Sequence, residues 1–127
     1  MRVSAMVLVL MPAMAGALLP AVAGAEAWRA LDGSAIKQAL EGRELSYGNA
    51  SQTFEFGGLT VYFADAPSSG EWRVDGNLYC SRWPPGEQWD CYGVEAKDGA
   101  VRFTGPDGTV TAGTYLDDPE PQQTIMQ

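Results

Sequence analysis

The sequence contains no histidine. Histidine supplies the general base of most serine and cysteine hydrolases and a ligand in most catalytic zinc sites. Its absence therefore excludes most hydrolase mechanisms and most catalytic zinc centres. Paired carboxylates need no histidine, and Glu71, Asp90 and Glu95 lie among aromatic residues. A domain of this size seldom builds the cleft that holds two carboxyl groups about 5 to 9 Å apart, so we expect no enzyme, no catalytic residues, no cofactor and no metal site.

Basic residues are scarce as well. The 127 residues include 8 Lys or Arg against 16 Asp or Glu, and the formal net charge is -8. A field of this sign repels phosphate backbones and anionic lipid headgroups. Nucleic acid is therefore excluded as a partner, whereas a protein, a glycan or a small ligand remains open. The excess of acid also favours a soluble monomer.

Charge is almost absent from the first 25 residues, where Arg2 is the only charged side chain. An uncharged apolar run over residues 3–19 follows, and small residues close the segment. This pattern is typical of a cleavable secretory signal, with cleavage after Ala23 or Ala25. A retained anchor would need about 20 apolar residues, and Pro20 disfavours it. We therefore expect a periplasmic or secreted protein without a stable membrane anchor.

Only two cysteines occur, Cys80 and Cys91. Without histidine, two thiolates could complete a tetrahedral zinc shell only with carboxylates or a partner chain, and the redox spacing Cys-x-x-Cys is absent. In an exported chain, an even pair of cysteines favours a disulfide. Closing a loop of about a dozen residues contributes about 3 kcal/mol in the chain-entropy model. The bond would therefore supply a large part of the stability of a small domain.

One short helix is predicted at about residues 34–41. Asp32 and Ser34 are its candidate N-caps, and Ile36 and Leu40 lie near one face. A helix of this length is not stable alone in water. Its apolar face must therefore pack on a sheet.

After the helix, β-rich runs alternate with glycine turns. Eight strands are predicted, at residues 44–47, 52–56, 59–64, 71–74, 78–83, 89–95, 100–104 and 109–115. The turn dipeptides are Gly57-Gly58, Asp75-Gly76, Asp98-Gly99 and Asp107-Gly108. The fold class is therefore mainly β, an antiparallel meander sheet or a small, partly open barrel with one short N-terminal helix. We expect this domain to cover residues 26–116, followed by a disordered tail over 117–127.

The turns and cysteines also predict a strand register. A two-residue turn at Asp75-Gly76 places Trp72 opposite Tyr79 and, on the other face, Glu71 opposite Cys80. If Cys80 faces Cys91 across two neighbouring strands, the adjacent cross-strand pairs are fixed as well. These are Tyr79 with Tyr92 and Arg82 with Trp89.

Alternation then separates the aromatic residues into two groups. Trp72 and Tyr79 fall on the face that carries most of the aromatic and β-branched side chains, so we expect them to be structural. The disulfide, Arg82 and Trp89 fall on the other, partly exposed face. Together with Trp83 at the Pro-Pro loop, Arg82 and Trp89 are the predicted contacts with a partner.

The chain also resembles a known group of proteins. Residues 70–74 read Gly-x-Trp-x-Val, the following residues give Cys, Trp-Pro-Pro, Trp and Cys in order, and residues 31–40 read Leu-x-Gly-x-x-Ile-x-x-x-Leu. These motifs resemble small exported proteins of Gram-negative bacteria, chiefly alphaproteobacteria. The resemblance covers most of the mature chain and implies a periplasmic, disulfide-bonded β domain without an assigned activity.

A second similarity is to small periplasmic barrels that inhibit metalloproteases, which share a short N-terminal helix, one disulfide and a Gly-x-Trp signature. Their inhibitory N-terminal trunk has no matching motif here, so no residue is transferred. We therefore expect an exported, non-enzymatic binding or envelope accessory module. The alternatives are a small protein that resembles a protease inhibitor and a carboxylate-based enzyme that acts on glycans.

Overall fold

The computed structural model describes residues 9–12, 16 and 27–116. The predicted signal sequence lies almost entirely outside these residues, and the predicted tail over 117–127 lies wholly outside them. Among the residues that are described, no helix is both long enough and apolar enough to cross a membrane.

Most of the described chain is β-strand. The elements follow in the order β1 (Arg29–Ala30), α1 (Gly33–Leu40), β2 (Arg43–Ser46), β3 (Ser51–Phe54), β4 (Leu59–Phe63), β5 (Pro67–Asp75), β6 (Leu78–Arg82), β7 (Asp90–Lys97), β8 (Ala100–Thr104) and β9 (Val110–Tyr115). All eight predicted strands and the predicted helix are therefore present. Strand β1 was not predicted, and β5 begins four residues earlier than predicted.

Strands β2 to β9 form a closed, antiparallel, up-and-down barrel. Each strand pairs with the next in the chain, and β9 returns to β2 through the pairs Leu45–Tyr115 and Ser46–Thr114. The mainly β, barrel-like fold with one short helix is thus confirmed, and the strand ladder closes completely. Closure removes the unpaired edges that an open meander would leave.

The β5–β6 hairpin corrects one predicted register. Its turn lies one residue later than expected, so that Asp75 pairs with Leu78. The observed pairs are Val74–Tyr79 and Arg73–Cys80, where Trp72–Tyr79 and Glu71–Cys80 were predicted. Since each partner moves by two positions along its strand, the same side chains still face inward. The pairs Tyr79–Tyr92 and Cys80–Cys91 are confirmed.

Tertiary contact explains where that turn lies. The backbone N–H of Gly33, the first residue of α1, donates to Oδ1 of Asn77 at 2.9 Å. A Cβ at position 33 would clash with the carbonyl oxygen of Gly76. The helix start therefore rests directly on the turn, and this contact favours a turn centred on residues 76 and 77.

Helix α1 covers one end of the barrel. Asp32 caps it by accepting a hydrogen bond from the N–H of Ala35 at 2.9 Å. Ile36 and Leu40 are fully buried. They belong to one core cluster with strand residues that include Leu45, Phe54, Trp72, Val94 and Val101. The apolar face predicted for the helix therefore closes this end, which is called the closed end below.

Candidate functional site at the open end of the barrel

The opposite end of the barrel is open. Because the strands alternate in direction, the loops at residues 47–50, 64–66, 83–89 and 105–109 all meet there. A cavity of about 860 Å³ opens between them. Cavities of about 300 to 1,000 Å³ are the usual size for small-molecule sites. The open end is therefore the candidate site, and we refer to this space as the mouth cavity.

The lining of the mouth cavity combines two kinds of side chain. Six residues are aromatic: Tyr47, Tyr62, Tyr79, Trp83, Tyr92 and Phe103. Six carry a neutral hydroxyl or amide: Asn49, Gln52, Ser68, Ser69, Ser81 and Thr111. Pro84 completes the lining, and of the described residues that form it none is charged and none is Leu, Ile, Val or Met.

The inner part of the cavity is a saturated hydrogen-bond network centred on Gln52. The hydroxyl of Tyr47 donates to Oε1 of Gln52 at 2.7 Å, and Nε2 of Gln52 donates to Thr60 Oγ1 at 2.9 Å and to Tyr79 Oη at 3.1 Å. Thr60 in turn donates to the carbonyl of Thr53. Because the buried amide of Gln52 has all these partners, its burial costs little free energy. The same hydrogen bonds hold the neighbouring side chains in one arrangement. We call this group the inner network.

Burial keeps the tyrosines of the inner network protonated. Desolvation raises the pKa of Tyr79 to about 12. Desolvation, reinforced by Tyr79, raises the pKa of Tyr47 well above its ordinary value. Both hydroxyls are therefore neutral at physiological pH, and the inner network carries no charge.

The outer part of the cavity is different. In the described chain, the side chains of Asn49, Tyr62, Ser68, Ser69 and Thr111 line the cavity and make no hydrogen bond with the protein. Tyr62 is half-buried and the other four are exposed. These polar groups, called the outer polar ring below, are available to a ligand.

Trp83 lies beside the outer polar ring in a fixed position. Its indole packs on the backbone of Gly70, where a Cβ would come within 2.6 Å of the ring. Its Nε1 donates to Ser81 Oγ at 3.2 Å, and its ring meets Tyr62 edge to face at 6.4 Å. A turn in which Gly86 N–H donates to the carbonyl of Trp83 secures the backbone. Trp83 therefore presents a half-buried aromatic surface to the cavity.

The other two predicted contact residues lie on the outer wall of the barrel. The guanidinium of Arg73 stacks over the Trp89 ring at 4.0 Å, and that of Arg82 lies 5.0 Å from the same ring. The predicted proximity of Arg82 and Trp89 is therefore present, but Trp89 is half-buried and in contact with two cations. Contact of Arg82 and Trp89 with a partner stays a prediction, and the structure separates them from Trp83.

The predicted disulfide joins Cys80 and Cys91, with S–S 2.02 Å. On the face that was expected to be partly exposed, Cys91 is half-buried and Cys80 is fully buried. Arg73 on β5 reaches Trp89 beside β7, so their stack passes over the intervening strand β6 that carries Cys80. This covering stack was not visible in the sequence because it joins residues on non-adjacent strands.

The carboxylates considered for acid–base chemistry do not meet in the mouth cavity. Glu71 forms an ion pair with Arg82, and Glu95 forms one with Arg102 at 2.6 Å, both on the outside of the barrel. Asp90 is exposed at the start of β7. The described residues contain no group of three or more His, Cys, Asp or Glu that could hold a metal ion.

The rim of the open end carries negative charge. Asp65, Glu87 and Asp107 are exposed on its loops, and those four loops contain no Lys or Arg. Hydrogen bonds from the N–H and hydroxyl of Thr109 lower the pKa of Asp107, so this carboxylate stays ionised. The rim therefore disfavours anionic ligands.

Most of the lining was missed in the sequence. Gln52, Tyr62 and Thr111 lie on β3, β4 and β9, far apart in the chain. One sequence signal for these residues was available. On each strand alternate residues face inward, and several of these inward positions are polar where a closed core would have apolar residues. Without the closed barrel, nothing showed that these positions share one end.

Comparison of the chain with models of protein families, with curated proteins and with solved structures found no match in any of the three.

Proposed function

We propose that this chain is an exported, non-enzymatic binding module of the periplasm or the extracellular space, and that the mouth cavity takes a small uncharged ligand. The observation that carries the proposal is the lining of the cavity. Its aromatic and neutral polar side chains supply contact area and hydrogen bonds without any charged group. This combination is typical of ligand sites rather than of a packed core.

The surroundings support the same assignment. The saturated inner network forms a rigid floor, and the outer polar ring leaves hydrogen-bonding groups unused by the protein. A site that is already ordered loses less conformational entropy when a ligand binds. The disulfide fits an oxidising compartment, as the proposed export requires.

A blocked cavity tests the proposal. Thr111→Trp places a large side chain in the mouth, and Thr114→Trp places the same side chain at an exposed position of the same strand that does not line the cavity. The mature protein and both variants are screened by ligand-observed NMR against neutral, anionic and cationic compound sets. Melting curves establish that each variant is folded.

The expected result is binding of compounds from the neutral set, lost in Thr111→Trp and retained in Thr114→Trp. If Thr111→Trp does not fold, Ser68→Trp blocks the same cavity from β5. Absence of binding in all three sets, or binding that neither blocking variant reduces, contradicts the proposal.

A further inference from the structure

The side chains that line the mouth cavity indicate which class of uncharged ligand it takes. The inference below rests on the function proposed above. A site for a lipid or another aliphatic molecule would present aliphatic side chains. The described lining contains no Leu, Ile, Val or Met, while the closed end of the same barrel is rich in them. The ligand therefore has to satisfy hydrogen bonds as well as fill space.

The outer polar ring sets how many hydrogen bonds the ligand should offer. Five side chains with hydroxyl or amide groups stand around the opening without protein partners. Hydroxyl and amide groups both donate and accept, so their natural complement is a ligand that carries several hydroxyl groups. A ligand with one polar atom would leave most of the ring to water.

Trp83 adds an apolar surface next to these polar groups. Its ring is fixed by Gly70 and Ser81 and lies edge to face with Tyr62, so it does not need to be ordered on binding. The C–H face of a pyranose ring is flat and apolar, while its hydroxyl groups project around the edge. A sugar that stacks on Trp83 would therefore turn its hydroxyl groups toward the outer polar ring.

Rim charge disfavours one competing class of ligand, and ring geometry disfavours one arrangement of another. Asp65, Glu87 and Asp107 at the rim disfavour phosphorylated or carboxylated sugars. An aromatic cage for a quaternary ammonium group would need ring faces that surround a vacant point. Here Tyr47 and Tyr62 stack on each other at 6.2 Å, so this pair leaves no such space between its rings.

We propose that the mouth cavity binds one or two residues of an uncharged saccharide, with a pyranose face on Trp83 and the sugar hydroxyl groups on the outer polar ring. The lining and the rim charge thereby favour neutral glycans over lipids and anions, and the titration with choline separates them from organic cations. Trp83 is the platform, and Tyr62 and Thr111 are the hydroxyl partners whose loss can be tested singly.

The test is calorimetric titration of the mature protein with maltose, cellobiose and N,N′-diacetylchitobiose. Digalacturonic acid is the anionic comparison, choline the cationic one and N-phenyl-1-naphthylamine the uncharged aromatic one. Trp83→Ala removes the platform. Trp28→Ala is the matched control, because Trp28 does not line the mouth cavity and its ring contacts Lys97 and Arg102.

At least one neutral disaccharide should bind, and digalacturonic acid should bind at least about tenfold more weakly. Trp83→Ala should weaken the affinity for the disaccharide by about tenfold or more, whereas Trp28→Ala should change this affinity by less than about twofold. If Trp83→Ala does not fold, Tyr62→Phe and Thr111→Val remove single hydroxyl groups with little change in volume. Each should weaken binding by about threefold or more.

The remaining outcomes separate this inference from the proposed function. If N-phenyl-1-naphthylamine binds at the mouth and no neutral disaccharide does, the saccharide assignment is wrong and the proposed binding of an uncharged ligand stands. If only choline binds there, both the saccharide assignment and the proposed uncharged ligand are wrong. If the disaccharide binds but Trp83→Ala, Tyr62→Phe and Thr111→Val have no effect, the sugar site is elsewhere and the inference fails. If no compound binds, both proposals fail.

Discussion

The closed and open ends of the barrel are built from the same strands, but their inward positions differ in chemistry. The inward residue changes from Leu45 on β2 to Tyr47 just after the end of β2, at the mouth. Along β3 it changes from Phe54 at the closed end to Gln52 at the mouth. Leu45 and Phe54 are fully buried beneath α1. Tyr47 and Gln52 face a cavity instead. Alternate residues of each strand thus face inward along its whole length. Those inward side chains are apolar at the closed end and include polar groups at the mouth.

This difference shows how a small domain can hold both a core and a site. Buried apolar area supplies most of the folding free energy, and here it is concentrated around Phe54, which meets Trp72, Tyr79 and Phe103 ring to ring. The open end can therefore keep polar groups without protein partners. Variants that act on only one of the two ends test this division.

The largest effect is expected for Trp72→Ala at the closed end. Trp72 is 6% exposed, and its Nε1 donates to the carbonyl of Glu55 at 3.0 Å. Removing the ring should lower the free energy of unfolding by about 3 to 5 kcal/mol, measured by urea denaturation. Trp83→Ala at the mouth removes the same group and should cost no more than about half as much, because Trp83 is already half-exposed. Equal losses of stability in Trp72→Ala and Trp83→Ala would mean that the folding free energy is not concentrated at the closed end.

The second largest effect is expected where β6 meets β7 toward the open end. Three residue pairs join these strands, and the disulfide lies at the middle pair. The double change Cys80→Ala and Cys91→Ala should lower the free energy of unfolding by about 3 kcal/mol. A reductant should lower the free energy of unfolding of the wild-type protein by a similar amount. It should leave the free energy of unfolding of the double variant unchanged. A variant as stable as the oxidised wild type would contradict this role.

Alkaline pH should destabilise the protein through the inner network. The pKa of Tyr79 is about 12 in the folded state and about 10 in the unfolded state. Between these values the unfolded chain releases a proton that the folded chain retains, so stability falls as pH rises. The loss from Tyr79 should reach about 2 to 3 kcal/mol near pH 12, measured by urea denaturation in a pH series.

Tyr79→Phe provides the control for this pH dependence. It removes the titrating group and should make the decline above about pH 10 less steep. An unchanged pH profile in Tyr79→Phe would show that other groups cause the decline.

The smallest effect is expected at the start of α1. Asp32→Ala removes the side chain that accepts from Ala35 N–H and should cost about 1 kcal/mol. Ser34→Ala is the matched control, since Ser34 lies within the helix and should give almost no loss. Measured melting temperatures distinguish the two. The reverse order would mean that Ser34, the other candidate from the sequence, caps the helix.

Local patterns predicted the strands and turns well. Each of the four turn dipeptides contains a glycine with positive φ that lies between two observed strands, although the turn at Asp75-Gly76 is shifted by one residue. By contrast, the first part of β5 was not predicted, because residues 67–70 are Pro-Ser-Ser-Gly, which have little β propensity. They are extended because β4 pairs with them. Strand β1 was missed for the same reason, since its two residues are ordered by pairing with β7.

The sequence by itself determined the elements whose signals are local: the mainly β class, the short helix and the pairing of Cys80 with Cys91. The choice between the candidate caps Asp32 and Ser34 was made by the structure. Closure of the barrel was decided by the pairing of β2 with β9. The site was decided with it, because Gln52, Tyr62 and Thr111 meet only when distant strands are brought to one end. The physical reason is that backbone turns and alternation depend on neighbouring residues, whereas a cavity depends on where all eight strands end relative to one another.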